Sequence, residues 1–401
     1  MSQSLPLRGA PEPIPPRGVR EDGWTGSLLA GRNRSVDFLR GLSILLVVFS
    51  HFDAAGPFGQ PLLMAPWLPF AVQLNGGLGV TLFFVISGYL ITLTSLQRYG
   101  GLEKIRIREF WSYRLSRIFP ALALLAGLKL MGAALVQPGF VLPATIPAAR
   151  LLNYVFTFRF NLLYLNGGAL LLAWAPLWSL AIEEVFYLAF PLLARALRTP
   201  QRLVVLLSLL IVAGPIYRQH YGWGSLYLYW GCFDQLAIGC LIALGCRHVP
   251  GKSPLFARPV YFQAAGLLII ASIYFLWDIH ESRNWVWMPT VAAAAAGLFL
   301  FGSSIAAETH AESPGPRRRF WLLPLDVAGI LSYELYLFHL PLLLVLKAPV
   351  HRWAASLNIH LHKDLTFLMI FGFMLGVAGL LHLAFSVPAQ RGLRRLLKPL
   401  T

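Results

Sequence analysis

Acidic side chains are scarce in this chain. It carries 17 Asp and Glu in 401 residues against 33 Lys and Arg, and charged residues of both signs make up only 12%. A soluble protein of this size has about twice that charged fraction. The hydrophobic share is 57% and the mean hydropathy +0.63, which excludes an ordinary water-soluble domain. Cysteine is nearly absent. Cys232, Cys240 and Cys246 fall in or beside one apolar segment without metal-ligand spacing, which argues against a disulfide framework or a metal centre. They read as small packing residues. Residues 1–33 lack the compact apolar region and cleavage site of a secretory signal, and their proline-rich, aperiodic composition reads as a disordered tail. The formal charge of +16 raises the question of nucleic acid. However, no basic patch interleaved with aromatic residues supports that partner.

What is present is a series of apolar runs about 20 residues long, the length that crosses a bilayer as helix. The fold class expected is all-α, a polytopic membrane protein with about ten transmembrane helices. The spans fall at 36–55, 76–96, 118–137, 176–194, 201–219, 226–245, 260–278, 286–305, 327–347 and 365–388. Two connections are long, 97–117 and 138–175, and the apolar stretch around Leu151–Leu165 in the second reads as interfacial or re-entrant. Lys and Arg fall unequally on alternate sides, 25 against 7, with Lys129 left inside the third span. That bias places both termini in the cytoplasm and the protein in the cytoplasmic (inner) membrane. The domain plan is a cytoplasmic tail over 1–33, a membrane domain over 34–390, and a basic cytoplasmic tail over 391–401.

Within this apolar background, the few polar groups inside spans carry the functional information, because such groups are expensive in lipid. The first span contains Asp37, Arg40 and His51. Arg40 and His51 are eleven residues apart, so they differ by about 20° in direction and lie ~16 Å apart along the axis. Asp37 falls within about 40° of His51 on the same stripe. Two readings are open: a catalytic stripe, or two residues anchoring opposite helix ends at the headgroups. Arg114 and Arg117, in the segment before the third span, read either as surface anchors or as a cationic site for a phosphate-bearing cosubstrate. The fourth span opens WSLAIEEVFYL, where Ser179, Glu183 and Tyr187 share one face and Glu184 adjoins. Glu183 calls for a cation such as Arg40 or His51. Ser87 with the glycines of the second span reads chiefly as packing. Asp234, Tyr333, Glu334, Tyr336 and His339 complete the set of span-embedded polar groups. Asp234 and His339 are equally well read as helix–helix hydrogen-bond partners.

Six stretches, DFLRG with its downstream His51, GVTLFFVISGYLI, YRLSRIFP, WSLAIEEVFYL, FDQLAIG and SYELYLFHLP, occur in order from about residue 34 to 390. Together they resemble the acyltransferase-3 family of integral-membrane O-acyltransferases. The resemblance implies transfer of an acyl group, often acetyl, from acyl-coenzyme A as cosubstrate to a hydroxyl of a glycan, lipid or secondary metabolite, without a bound cofactor or metal. It implies Arg40 and His51 as the catalytic pair, Glu183 as a catalytic-site acid, and Arg114 and Arg117 as donor-binding residues. Asp37 shares the stripe and is taken with the catalytic group. Ser87, Tyr187, Asp234, Tyr333 and His339 are supporting candidates. The chain departs from the pattern at Cys232, where many relatives have arginine, and at Glu334, usually small or uncharged. No esterase-like domain is expected after the last span, which removes one clue to the acceptor.

In the expected chemistry His51 takes the proton of the attacking hydroxyl, oriented or charge-balanced by an acid such as Glu183, while the arginines hold the anionic donor. A covalent acyl-histidine route is an alternative. The depth of His51 requires the donor's thioester arm to thread into the membrane. Two rival functions are a secondary transporter with an intramembrane proton relay and a non-catalytic partner of a polysaccharide pathway. No internal symmetry supports the former, and the latter leaves the Arg40–His51 stripe unexplained.

Overall fold

The computed structural model describes residues 33–54, 75–137, 139–247, 258–281, 283–309 and 323–397. Their architecture is all-helical. The chain-order helices are α1 (Arg34–Ala54), α2 (Leu78–Tyr99), α3 (Ile107–Ala134), α4 (Ala148–Phe156), α5 (Phe160–Gly167), α6 (Leu177–Leu197), α7 (Pro200–Tyr221) and α8 (Phe233–Cys246). They continue as α9 (Pro259–Leu276), α10 (Asn284–Thr309), α11 (Leu323–Ile330), α12 (Ser332–Ser356), α13 (Lys363–Leu381) and α14 (Val387–Leu396). A short π-helical segment, His382–Ser386, joins the last two. Among the described residues, nine helices are long and apolar enough to cross a membrane. The chain is therefore a multi-pass membrane protein. The expected tail over 1–33 lies, apart from its final residue, outside the described residues.

The sixth expected span is shorter than the sequence reading has it. Residues 226–232 form tight 3₁₀ turns, and regular helix begins only at Phe233. A Cβ at Gly231 would stand 2.0 Å from the Ser225 carbonyl oxygen, so the chain doubles back on itself there. The remaining 14 residues of α8 reach only ~21 Å. The 97–117 loop is also corrected: α3 begins at Ile107, so Arg114 and Arg117 belong to a 28-residue helix rather than to a connection. In the 138–175 connection the apolar stretch forms α4 and α5, of nine and eight residues, too short to span. Residues 391–396 of the basic tail are helical, as the end of α14.

Helix ends follow local chemistry. Thr199 accepts a hydrogen bond from the Arg202 amide, and Pro200 occupies the first turn of α7, where its missing N–H costs nothing. Gly100 ends α2 in the left-handed conformation, its amide closing on Leu96.

Without a hydrophobic force between helices in lipid, contact depends on close backbone approach. The centre of the bundle shows this directly. A Cβ at Gly88 would lie 1.9 Å from the Leu236 oxygen, and one at Gly239 would lie 2.0 Å from the Val85 oxygen. α2 and α8 therefore cross backbone to backbone, and α2 is fixed at the middle of the molecule. α1 meets α11 in the same way through Gly41 and Gly329. Replacing Gly239 by alanine is expected to destabilise the detergent-solubilised protein by at least the ~1–3 kcal/mol of an overpacked core. Thermal unfolding checks this, because the control Gly245→Ala, where a Cβ meets nothing within 4 Å, should be near neutral.

Candidate active site

A cavity of about 330 Å³ runs along α2. Its α2 lining extends from Val80 to Tyr99, a length of ~28 Å, close to the hydrocarbon thickness of a bilayer. α3, α6 and α12 supply the other walls, and Arg40 enters from α1.

The two ends of the cavity differ in chemistry. At the α2 C-terminal end, Arg98, Tyr113 and Arg117 line it, and Arg98 and Arg117 are exposed. The guanidiniums of Arg98 and Arg394 each lie 3.8 Å from the centroid of the Tyr113 ring. Arg394, from α14, also donates a hydrogen bond to the Tyr113 hydroxyl. This mouth is strongly cationic.

Deeper in, Arg114 lies 3.5 Å over the Tyr187 ring, with Glu183 at 3.4 Å and Glu184 at 3.6 Å. Ser87 donates to Glu183 at 2.7 Å. One serine, one arginine and two carboxylates thus tie α2, α3 and α6 together. The acid of the fourth span is held by Arg114 and Ser87 rather than by Arg40 or His51. Arg114 in turn is largely satisfied by protein groups. Arg117 remains at the mouth, 5.9 Å over the Tyr333 ring, while Tyr333 donates to the Ile118 carbonyl at 3.0 Å.

Toward the inner end the cavity is lined by Phe83 and Tyr336, whose rings are 5.7 Å apart edge to face, and Tyr336 shares a 2.5 Å hydrogen bond with Ser179. Behind Tyr336 stands a pair of histidines. The His339 ring is 5.9 Å from Tyr336 and 4.9 Å from the His51 ring. His51 is half-buried, and its Nδ1 lies 2.8 Å from the Val47 carbonyl. An N–H there leaves Nε2 as a free acceptor, the tautomer that general-base chemistry needs. His339 is likewise oriented through Nδ1, against the Leu335 and Tyr336 carbonyls. α1 therefore presents Arg40 into the cavity and His51 to the histidine pair ~16 Å further along.

Three expected residues stand apart. Asp37 is buried near the start of α1, fourteen residues and ~21 Å from His51, out of reach of that imidazole. It does not line the cavity, and its carbonyl abuts Gly329 at the α1–α11 crossing. Asp234 lines neither described cavity: Arg218 donates to both of its oxygens, at 3.1 and 3.0 Å, and Thr290 adds a third bond at 2.6 Å. This ion pair is fully buried. Arg218, one of the seven Lys and Arg counted on the sparser side, is a fully buried residue of α7. Cys232 is buried, with Sγ 3.1 Å from the Leu226 carbonyl, so the guanidinium beside Asp234 comes from α7 instead. Glu334 pairs with His382 of the π-helical segment at 2.9 Å.

A second cavity of about 240 Å³ lies toward the α2 N-terminus, lined by Trp178, Trp223, Tyr227, Gln235 and His280 among others. Val80 and Phe84 line both cavities, and the Phe84 and Trp178 rings meet edge to face at 6.3 Å. Sequence reading missed Arg98, Tyr113 and Arg394, which come from three different segments. A hint was the YRLSR stretch with the basic C-terminal tail, but only the fold brings them together. No group of three His, Cys, Asp or Glu among the described residues could hold a metal ion.

This arrangement can be set beside known proteins. The sequence matches the acyltransferase domain family over residues 33–387. The chain belongs to the acyltransferase-3 family. It is 28% identical over 333 residues to the O-acetyltransferase OatA of Staphylococcus aureus strain NCTC 8325, covering 78% of this chain and 51% of that protein. The peptidoglycan O-acetyltransferase OatA of Listeria monocytogenes is 26% identical over 333 residues, covering 79% and 50%. YrhL of Bacillus subtilis is 29% identical over 297 residues, covering 69% and 45%. The chain spans about half the length of these curated relatives. No solved structure is a significant match.

The Arg218–Asp234 pair generates a stability prediction separate from the cavity. Asp234→Ala leaves a fully buried guanidinium without its carboxylate and should cost about 3–5 kcal/mol. The measurement is a thermal unfolding midpoint in detergent. The double variant Asp234→Leu, Arg218→Met should recover most of the loss, since an apolar pair of similar volume removes both desolvation penalties.

Proposed function

We propose that this chain is an O-acetyltransferase of the cytoplasmic membrane that moves an acetyl group from an acyl-coenzyme A donor to a hydroxyl of a cell-wall glycan. The observation that carries this reading is the cavity's polarity. A cationic mouth at Arg98 and Arg117, with Arg394 against Tyr113, leads along a largely apolar lining to Tyr336, beyond which His339 and then His51 follow at ring distances of 5.9 and 4.9 Å.

A donor with a phosphate-bearing nucleotide head and a long thin arm ending in a thioester matches that gradient. Its phosphates would meet the mouth arginines, where guanidinium pairs well with phosphate. Arg117, expected from sequence to bind the donor, keeps that role, joined by Arg98 and Arg394. Arg114 contributes from within its carboxylate pair and organises the wall. Glu183 then acts by positioning Ser87 and Arg114 rather than by balancing His51. His51 takes the proton of the acceptor hydroxyl as its oxygen attacks the thioester carbonyl, and the proton passes on to the departing thiolate.

The acceptor reading rests on the names of the relatives and on the second cavity. Its Trp178, Trp223 and Tyr227 offer apolar ring faces, and Gln235 and His280 offer hydrogen bonds, a combination suited to a sugar. The Lys and Arg bias puts the cationic mouth on the cytoplasmic side with both termini. Reporter fusions should read inside at Lys104 and outside at Arg352. Reversal of both would move the donor to the wrong side and end this reading.

Two further outcomes test the chemistry. His51→Gln cannot accept a proton at neutral pH, and acetyl transfer should fall by ~10²–10⁴ with donor affinity retained. A His51→Gln protein that transfers at near wild-type rate would remove the base from the mechanism. Arg98→Ala and Arg394→Ala should each weaken donor binding by about 1.5–3 kcal/mol, read by titration with the purified protein. Unchanged affinity in both would place these side chains at the lipid headgroups instead.

A further inference from the structure

Lys129 has no place in the chemistry derived so far. It lies in α3, fifteen residues beyond Arg114 and therefore ~22 Å further along the helix. Its side chain is fully buried, and Nζ has no hydrogen-bond partner among the described residues. Its ammonium lies 4.9 Å from the centroid of the Trp174 ring. A cation over an aromatic face recovers only part of what burial of a charge costs.

Two neighbours share this condition. Trp174 is buried and its Nε1–H has no acceptor. His339 is buried and its Nε2 is unpartnered. Trp174 packs in one apolar cluster with Leu125 and Ala126 of α3 and with Leu337 and Phe338, which directly precede His339. Three buried polar atoms, from α3, α12 and the turn before α6, thus belong to segments packed around the His339–His51 pair, with their hydrogen-bonding capacity unused. Buried polar groups are normally satisfied, and a group of three that is not has room in its bonding for something that arrives later.

We infer that Lys129 and the Trp174 N–H form an oxyanion-binding site for the acyl-transfer step. The inference rests on the reading of His51 as base. The acceptor oxygen bonds to the thioester carbonyl carbon, and its proton passes to His51 Nε2. The carbonyl π pair moves onto its oxygen, which Lys129 and Trp174 Nε1–H receive as the negative charge develops. The oxyanion then re-forms the carbonyl, the carbon–sulfur bond breaks, and the thiolate takes the proton from His51. Donors placed where charge appears only in the transition state raise the rate without tightening donor binding.

This makes Lys129 a residue whose removal should help the fold and harm the reaction. Lys129→Met keeps the length of the side chain and removes the charge. The expected result is an unfolding midpoint equal to or above wild type, a kcat lower by ~10²–10³, and an unchanged donor dissociation constant. Trp174→Phe keeps the ring over Lys129 and removes the N–H, and should lower kcat at least ~10-fold with the midpoint held. The probes are acetyl-coenzyme A and a soluble chito-oligosaccharide acceptor, with the full chain in detergent. A Lys129→Met protein that keeps kcat within threefold of wild type overturns the site. So does one that unfolds or melts well below wild type, since Lys129 would then be a structural partner. The companion variant His51→Gln separates the two readings: if it is silent the base assignment fails, whereas failure of the Lys129 prediction with His51 essential leaves the base in place and removes only the oxyanion site.

Discussion

A charge inside the hydrocarbon has to be answered by another group, and the architecture of this protein follows from how each one is answered. Arg114 is met by Glu183, Glu184 and the face of Tyr187, and with Ser87 on Glu183 the knot joins three helices in the cavity wall. Arg218 is met by Asp234 and Thr290, and that pair locks α7, α8 and α10. Glu334 is met by His382 across α12 and the π-helical turn. In each case the partner lies on a different helix, so electrostatic satisfaction doubles as tertiary specification. The residues with partners build the walls. Nε2 of His339 and Nζ of Lys129, buried without a hydrogen-bond partner among the described residues, mark where the protein keeps capacity in reserve.

The membrane class was legible because bilayer thickness imposes a length that composition cannot disguise. Nine of the ten spans read from hydropathy coincide with long helices, and the exception, around Phe233, fails for a local reason. Hydropathy sums over a window and does not register that Gly231 lets the chain fold back on Ser225. The start of α3 was misread for a related reason. Arg106, Arg108, Arg114 and Arg117 depress hydropathy, but arginine is a good helix former, and at a membrane edge its long stem keeps the charge in polar surroundings while the helix continues.

Pairing was the part that sequence hid. Glu183 invited a cation, and Arg40 and His51 were the prominent ones; spacing along one helix cannot tell which neighbouring helix will face it. Ser87 is 96 residues from Glu183 and Arg114 is 69. His339 could be read as a helix–helix partner without any means of knowing that its neighbour would be His51. Lys129 and Arg218 are an instructive contrast. Arg218 was tallied on one side of the topological count and Lys129 was left inside its span, yet both are fully buried, and only the fold distinguishes the arginine that has a carboxylate from the lysine that does not.

The crossing of α2 and α8 has a bearing on how sequences of this kind diverge. α2 is pinned at its middle by two glycines and lends Val80 and Phe84 to both chambers. A side chain enlarged at either position takes volume from two compartments at once, and the helix cannot shift aside to redistribute it. Selection for a bulkier occupant on one side is therefore felt on the other. Lineages that change one occupant are constrained to do so through α3, α6 or the turns around Trp223, where the two chambers have walls of their own.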